Sequence, residues 1–331
     1  MKTKAIDIHI SRKRCPFEKL EKDELFFSLM DYRNSLFMSS DPKKIIEFYD
    51  GFENRDELIE WMKERPKGAS YIHEVEGDKD IIVVIPTADF NGKYAVNCRE
   101  NIFKGLHMIF VESGEIPDLY FNGAHNVNIG IKKAMEYSPK WIVFSNDDMV
   151  KEDPIERLNS ILLKLNNEEE IIVHTLKSGK YHSRDALIST RTIRRKIVLG
   201  MMGKLERIRM SLESRFDLKY IVGSSLGFYR FLYSPILRVK YSGSITIMSS
   251  ALIKRMNGIF YDETFINGVE DIDVALLLKQ KGTKIEYVDY KIGDIIGGTI
   301  GPFDIVRRTR DLVNTCYLNT KILKDYLQLI T

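Results

Sequence analysis

The run Ile81-Ile82-Val83-Val84-Ile85 constrains this chain more than any other feature. Consecutive aliphatic residues, all of them β-branched, cannot alternate between core and water. They predict a strand buried on both faces, the kind found in parallel sheets covered by helices. The run stops at Pro86-Thr87, where the pattern turns polar. The apolar run at 108–111 ends likewise in Glu112-Ser113-Gly114, and the run at 141–144 ends in Ser145-Asn146-Asp147-Asp148. Between these runs, residues 124–137 carry Val127, Ile131 and Ala134 at helical spacing, and Asp153-Pro154 reads as the cap of a helix reaching about Leu165. Strands alternating with such helices predict a parallel α/β sheet. Ligands bind beyond the carboxyl ends of the strands in such sheets, so the polar residues after the three runs are expected to converge.

Before this pattern, residues 1–76 read as a helical N-terminal extension. Asp41-Pro42 supplies a cap and a first-turn proline, and a second helix over 55–65 stops before Pro66 and Gly68. The main domain is expected over 77–303. Its later part offers a strand at 244–248, a helix at 269–280 stopped by Gly282, and a strand at 284–288. A Gly-rich stretch, 293–301, reads equally as a loop or as a lid over a ligand. A C-terminal helix is expected over 304–331, beginning near Asp304 and ending near Leu329.

Charge sharpens the picture. The formal net charge is only +3, yet residues 177–240 hold 15 Lys and Arg against four acids. The basic insertion, 177–242, reads as helical. Residues 192–216 interleave cations with apolar positions, and Phe228, Tyr229, Phe231 and Tyr233 follow. Such a stretch suits an anionic membrane surface, and equally a solvated face or a helix packed on the core. It carries no nucleic-acid motif, and no nucleic-acid partner is expected. Three scattered cysteines, no apolar run near the length of a membrane span and no hydrophobic signal core predict a cytoplasmic protein, at most peripheral on the inner membrane face. Only two glutamines beside abundant Lys, Glu and Ile lean toward a thermophilic source.

Two acidic groups are candidates for chemistry. Asn146-Asp147-Asp148 follows a strand, where a carboxylate can hold a divalent cation against a diphosphate, although Asn and Asp also cluster in ordinary turns. Glu270-Asp271-Ile272-Asp273 opens a helix, whose dipole stabilises acids whether or not they act. Glu270 and Asp273 are three apart and are expected on one face, with Asp271 pointing elsewhere. An ionised Asp271 suits a base that takes a proton from an attacking hydroxyl. His107, His125, His174 and His182 lack metal-ligand spacing and read as structural; Met201, Met202 and Met210 read as helix packing.

Taken in order, Ile81-Ile82-Val83-Val84-Ile85-Pro86-Thr87, Asn128-Ile129-Gly130-Ile131, Phe144-Ser145-Asn146-Asp147-Asp148, Phe260-Tyr261-Asp262-Glu263-Thr264-Phe265 and Glu270-Asp271-Ile272-Asp273 resemble the family 2 glycosyltransferases of GT-A fold, in their rhamnosyltransferase-like branch. The resemblance covers about 81–165 and 243–288. It implies a nucleotide-sugar-binding, Rossmann-like sheet and an inverting displacement at the anomeric carbon. It places Pro86, Thr87, Glu112, Asn128, Asn146 and Asp147 around a UDP-, GDP- or dTDP-sugar donor, and gives Asp148 to a Mn²⁺ or Mg²⁺ ion. Asp271 matches the catalytic base and Glu270 helps to place the acceptor, with Asp273 in support. The acceptor is a glycan, a lipid-linked sugar or a protein.

The family's usual His after the last core strand is missing from Ile295-Ile296-Gly297-Gly298-Thr299, where Asp294 is the substitute at hand. Two other readings compete. One is a sugar-1-phosphate nucleotidyltransferase, whose Gly-rich start is absent after Ile85. The other is a basic, non-catalytic binding protein on a decayed fold, against which the retention of Asp148 and Asp271 speaks.

Overall fold

The computed structural model describes residues 22–114, 119–177, 180–190, 204–224, 236–295 and 305–329. In chain order, α1 (Lys22–Phe37), α2 (Pro42–Asp50) and α3 (Arg55–Glu64) precede β1 (Ser70–Val75) and β2 (Asp78–Thr87). Next come α4 (Lys93–Asn97), running into a π turn at Cys98–Ile102, then β3 (Leu106–Ser113), α5 (Gly123–Met135), β4 (Trp141–Ser145), β5 (Met149–Lys151) and α6 (Ile155–Leu162). The basic region contributes β6 (Ile171–Lys177), β7 (Lys180–Tyr181), β8 (Arg184–Thr190), α7 (Lys204–Arg215), β9 (Tyr220–Ser224) and β10 (Ile236–Tyr241). The chain ends with β11 (Ile245–Ser249), α8 (Ser250–Arg255), α9 (Glu270–Lys281), β12 (Lys284–Asp294), α10 (Ile305–Arg310) and α11 (Leu312–Asp325).

The main sheet is mixed and runs β1-β3-β2-β4-β11-β6-β12-β5. β2 lies parallel to both β3 and β4, and β11 inserts antiparallel between β4 and β6. Both faces are covered, as the unbroken aliphatic run requires. Ile81, Val83 and Ile85 pack with Ala95, Cys98, Leu158 and Leu162 on one side. Ile82 and Val84 pack with Val127 and Ile131 of α5 and Leu252 of α8 on the other. Helix α5 lies so close to the sheet that a Cβ on Gly130 would sit 2.3 Å from Val84 Cγ1. Only a glycine allows that approach.

Several expectations are corrected here. Ser70–Val75 is a strand, not part of a helical extension; it pairs antiparallel with β3 from Ser70 with Ser113 to Val75 with Met108, and His73 reaches Glu112 diagonally across the pair. The basic insertion is not simply helical. β10, β8 and β9 form a second antiparallel sheet, in which Ala186 and Ile188 turn inward at a period of two beside Val239. Leu212 of its helix, α7, and Phe216 just beyond it pack into a core shared with α2 and α3, with Ile208 against its edge. The aromatic run at 228–233, Met201 and Met202 lie outside the described residues, as does most of the Gly-rich stretch.

Asp153 does not cap α6, which has Pro154 at its N-cap. Instead Asp153 Oδ2 accepts from Lys291 N at 2.7 Å, fastening the loop to β12. The expected last helix is broken at Asp311 into α10 and α11. Among the described residues no helix is long and apolar enough to cross a membrane.

Candidate active site

The chain leaves β2 for β3 on one side and later returns to β4 on the other, so sequence order reverses at β2. A crevice at the carboxyl ends of β2 and β4 follows, and the first acidic group lies there. Thr87 Oγ1 donates to Asp147 Oδ2 at 2.8 Å, linking the two strand ends. Asp147 and Asp148 are 5% and 6% exposed, far less than turn acids normally are. The Cys98 thiol donates to the Asp147 carbonyl at 3.1 Å, and burial, then the charges of Asp147 and Asp148, push that thiol up out of reactive range. Asn146 N donates to Ser244 O at 2.9 Å, and Ile295 N to Asp148 O at 2.9 Å. The acidic strand end is therefore held by backbone on two sides.

The second acidic group meets the first through the segment before β11. Ser244 holds Asn146, and the neighbouring Gly243 lies against Asp271: a Cβ there would stand 3.0 Å from Asp271 Oδ2. Asp271 Oδ1 accepts from Ile272 N at 2.8 Å. Burial raises the Asp271 carboxyl to about 6, against the pull of Arg184 on β8. Burial, then the Asp271 charge, pushes Glu270 up to about 8. Adjacent buried carboxyls titrate as a pair, so the protons belong to both. Glu270 Oε2 is buried and has no hydrogen-bond partner among the described residues. Asp311, between α10 and α11, is a third member; burial raises it to about 6, opposed by Arg307, Arg310 and Arg209. Tyr241 is pushed up to about 12 by burial and then by Asp271.

Glu270 and Asp273, expected on one helical face, have different partners. Asp273 turns away, accepting from Lys321 Nζ at 2.6 Å and Tyr326 OH at 3.0 Å. Lys321 Nζ also donates to Asp262 Oδ2 at 2.8 Å. Asp273 thus braces α9 against α11. Asn128 is likewise committed to packing: its Oδ1 accepts from Phe260 N and Tyr261 N at 2.9 and 3.0 Å, and its Nδ2 donates to Tyr261 O at 2.8 Å and Glu263 Oε1 at 3.0 Å. With His125 Nδ1 2.7 Å from Glu263 Oε2, it grips the turn that leads to the acids. Glu112 holds the loop after β2, accepting from Phe90 N at 3.1 Å and lying 2.6 Å from His73 Nε2. Pro86 is partly exposed at the end of β2, and Asn146 is partly exposed beside the buried acids.

Asp294 does come near the acidic strand end, across from Met149 in the β12–β5 pair. His182 Nδ1 lies 3.9 Å from Asp294 Oδ1, while His182 Nε2 donates to Ile292 O at 2.6 Å. No spacing rule connects His182 with residue 294; only the β7–β8 turn brings them together.

The turn before α9 is strained. Asn267 has φ 53° and Val269 φ 74°, and a β-branched side chain there costs on the order of 1–3 kcal/mol. Asn267 Oδ1 accepts from Gly123 N at 2.7 Å, and Asn314 exchanges two hydrogen bonds with the backbone of Ile266. Asp311 at the cap of α11, then Asn314, Tyr317 and Lys321 along it, are spaced three and four apart, and all reach this region. That spacing of polar residues at three and four is the sequence signal by which they could have been found. Neither a family model nor a characterised protein matches this chain.

Proposed function

We propose that this protein is an inverting glycosyltransferase of GT-A type, moving a sugar from a nucleotide-sugar donor to a glycan, lipid-linked or protein acceptor. The observation that carries this reading is the meeting of the two acidic groups across the segment 242–244, at the switch point of an open α/β sheet. The donor's diphosphate lies in the crevice beyond β2 and β4, with Thr87, Asn146 and Asp147 on its nucleoside side. Asp271 accepts the proton of the acceptor hydroxyl as that oxygen attacks the anomeric carbon and the nucleoside diphosphate leaves. Glu270, raised with Asp271 as a pair, shares protons with the base and offers a hydrogen bond to the acceptor.

The residues present fit a Mn²⁺ or Mg²⁺ ion. Among the described residues no group of three or more His, Cys, Asp or Glu is arranged to hold a metal alone. A hard divalent cation that shares substrate phosphates needs only one or two carboxylates, and Asp148, buried at the end of β4, supplies one. When bound, the ion neutralises charge on the departing diphosphate. The test is transfer, or donor hydrolysis, with UDP-, GDP- and dTDP-sugars and added Mn²⁺. Turnover with at least one donor, abolished by chelation, supports the reading; no binding of any of them by thermal shift overturns it.

A further inference from the structure

We propose that Asn314 is a positioning residue of this site: from the C-terminal helix it holds the turn 266–269 in the strained form that presents Glu270 and Asp271. Asn314 is fully buried. Its Oδ1 accepts from Ile266 N at 2.8 Å and its Nδ2 donates to Ile266 O at 2.9 Å. This two-point grip fixes the backbone three residues before Val269, whose left-handed conformation (φ 74°) disfavours a β-branched side chain. Left alone, Val269 would relax toward negative φ and swing the start of α9. The grip is close-fitting: a Cβ on Gly268 would lie 3.4 Å from Asn314 Nδ2 and 3.3 Å from Asp311 Oδ1. Strain that persists because its surroundings over-determine it is a recurrent feature of functional sites.

The charges around the presented acids come from several elements. The charge of Asp311 acts on Glu270, both acids act on Tyr261, and Arg184 and Tyr241 interact with Asp271. Their effect on Glu270 and Asp271 depends on where the turn aims the two carboxyls. The titration of the pair is therefore a readout of position that needs no enzyme assay.

The experiment is a cycle of Asn314→Ala and Val269→Gly in the full chain. Glycine adopts positive φ without penalty, so Val269→Gly makes the turn's shape independent of the grip. Asn314→Ala alone is expected to lower turnover by about 10–100-fold with donor KM within about twofold, the effect of a small misplacement of the base. Carboxyl ¹³C NMR should show the Glu270 and Asp271 titrations moving toward ordinary carboxylate values. In the Val269→Gly background the same change should cost little in either readout.

Asn314→Ala with unchanged titrations overturns the proposal, as does a double variant no better than the single one. Should Asn314→Ala fail to fold, the double variant is expected to fold, and its failure to do so counts equally against the grip. The turnover arm rests on the glycosyltransfer reading; the titration arm does not. A wild-type protein that transfers no sugar yet shows the titration shifts would sink that reading and leave the positioning role standing.

Discussion

Thr87 Oγ1 donates to Asp147 Oδ2 across 2.8 Å and so ties the end of β2 to the turn after β4. These strands are parallel neighbours, in register from Ile81 with Trp141 to Val84 with Phe144. The bond crosses the place where strand order reverses, which in open α/β sheets is where ligands enter. A buried polar group costs free energy unless it is hydrogen-bonded, and the Thr87 hydroxyl supplies Asp147 with such a partner. The neighbouring Asp148 is buried at the same strand end and held by its backbone to Ile295.

Asp148→Ala is expected to weaken donor binding on the order of 100-fold, about 2.7 kcal/mol, and to abolish its dependence on Mn²⁺ or Mg²⁺. Isothermal titration with and without the ion reads both effects. Metal-insensitive binding that survives the substitution would remove Asp148 from the site.

Asp271→Asn keeps the size of the side chain and its bond from Ile272 N, but removes the proton acceptor. Turnover should fall by roughly 10²–10⁴-fold while the donor dissociation constant stays unchanged, because a base acts only in the transition state. If steady-state kinetics instead show a raised KM and normal kcat, Asp271 binds substrate and the base lies elsewhere.

Stability should depend on pH through Glu270. Burial and then Asp271 raise its folded value to about 8, well above its range in the unfolded chain. A raised acid contributes its full stability below the unfolded value and loses it as pH climbs through the folded one. The melting temperature should therefore fall between about pH 5 and pH 8; Asp271 and Asp311, each raised to about 6, add the same sign in the lower part of that window. Glu270→Gln should flatten the decline and melt higher than wild type at pH 8. Melting curves at several pH values decide it, and a wild-type profile rising toward pH 8 would contradict the buried pair.

Lys321→Met should be severely destabilising although it touches no catalytic group. It leaves Asp273, 4% exposed, and Asp262 without the ammonium that both face at 2.6 and 2.8 Å. Removing one partner from a buried ion pair costs about 3–5 kcal/mol. Urea unfolding should show that loss, and adding Asp273→Asn should recover part of it. A midpoint within error of wild type would mean that solvent already screens the pair.

The backbone plan was legible in the sequence because burial on both faces writes itself as unbroken aliphatic runs. Ile81–Ile85 is such a run, and the polar residues that follow β2 and β4 do come together. The stop of α9 at Gly282, where φ is 66°, follows from local chemistry alone. Asn128, Asp273 and Glu112 show the limit. Each has the residue type of a ligand contact, and each is hydrogen-bonded to protein partners 22 to 135 residues away. Nothing local distinguishes an amide that waits for substrate from one that clamps a distant turn.

What the sequence by itself determined is the aliphatic strands, the helices between them and the two acidic strings, because these depend on neighbours within a turn or a strand. Which acids share a proton, which brace helices, and how the turn at Val269 is held were decided only by tertiary structure. Helical periodicity put Glu270 and Asp273 on one face, yet Lys321 of α11 holds Asp273, while the charges of Asp271 and Asp311 bear on Glu270. The reason is physical: a carboxyl's charge state follows desolvation and nearby charge, and both are properties of the assembled fold rather than of any segment of it.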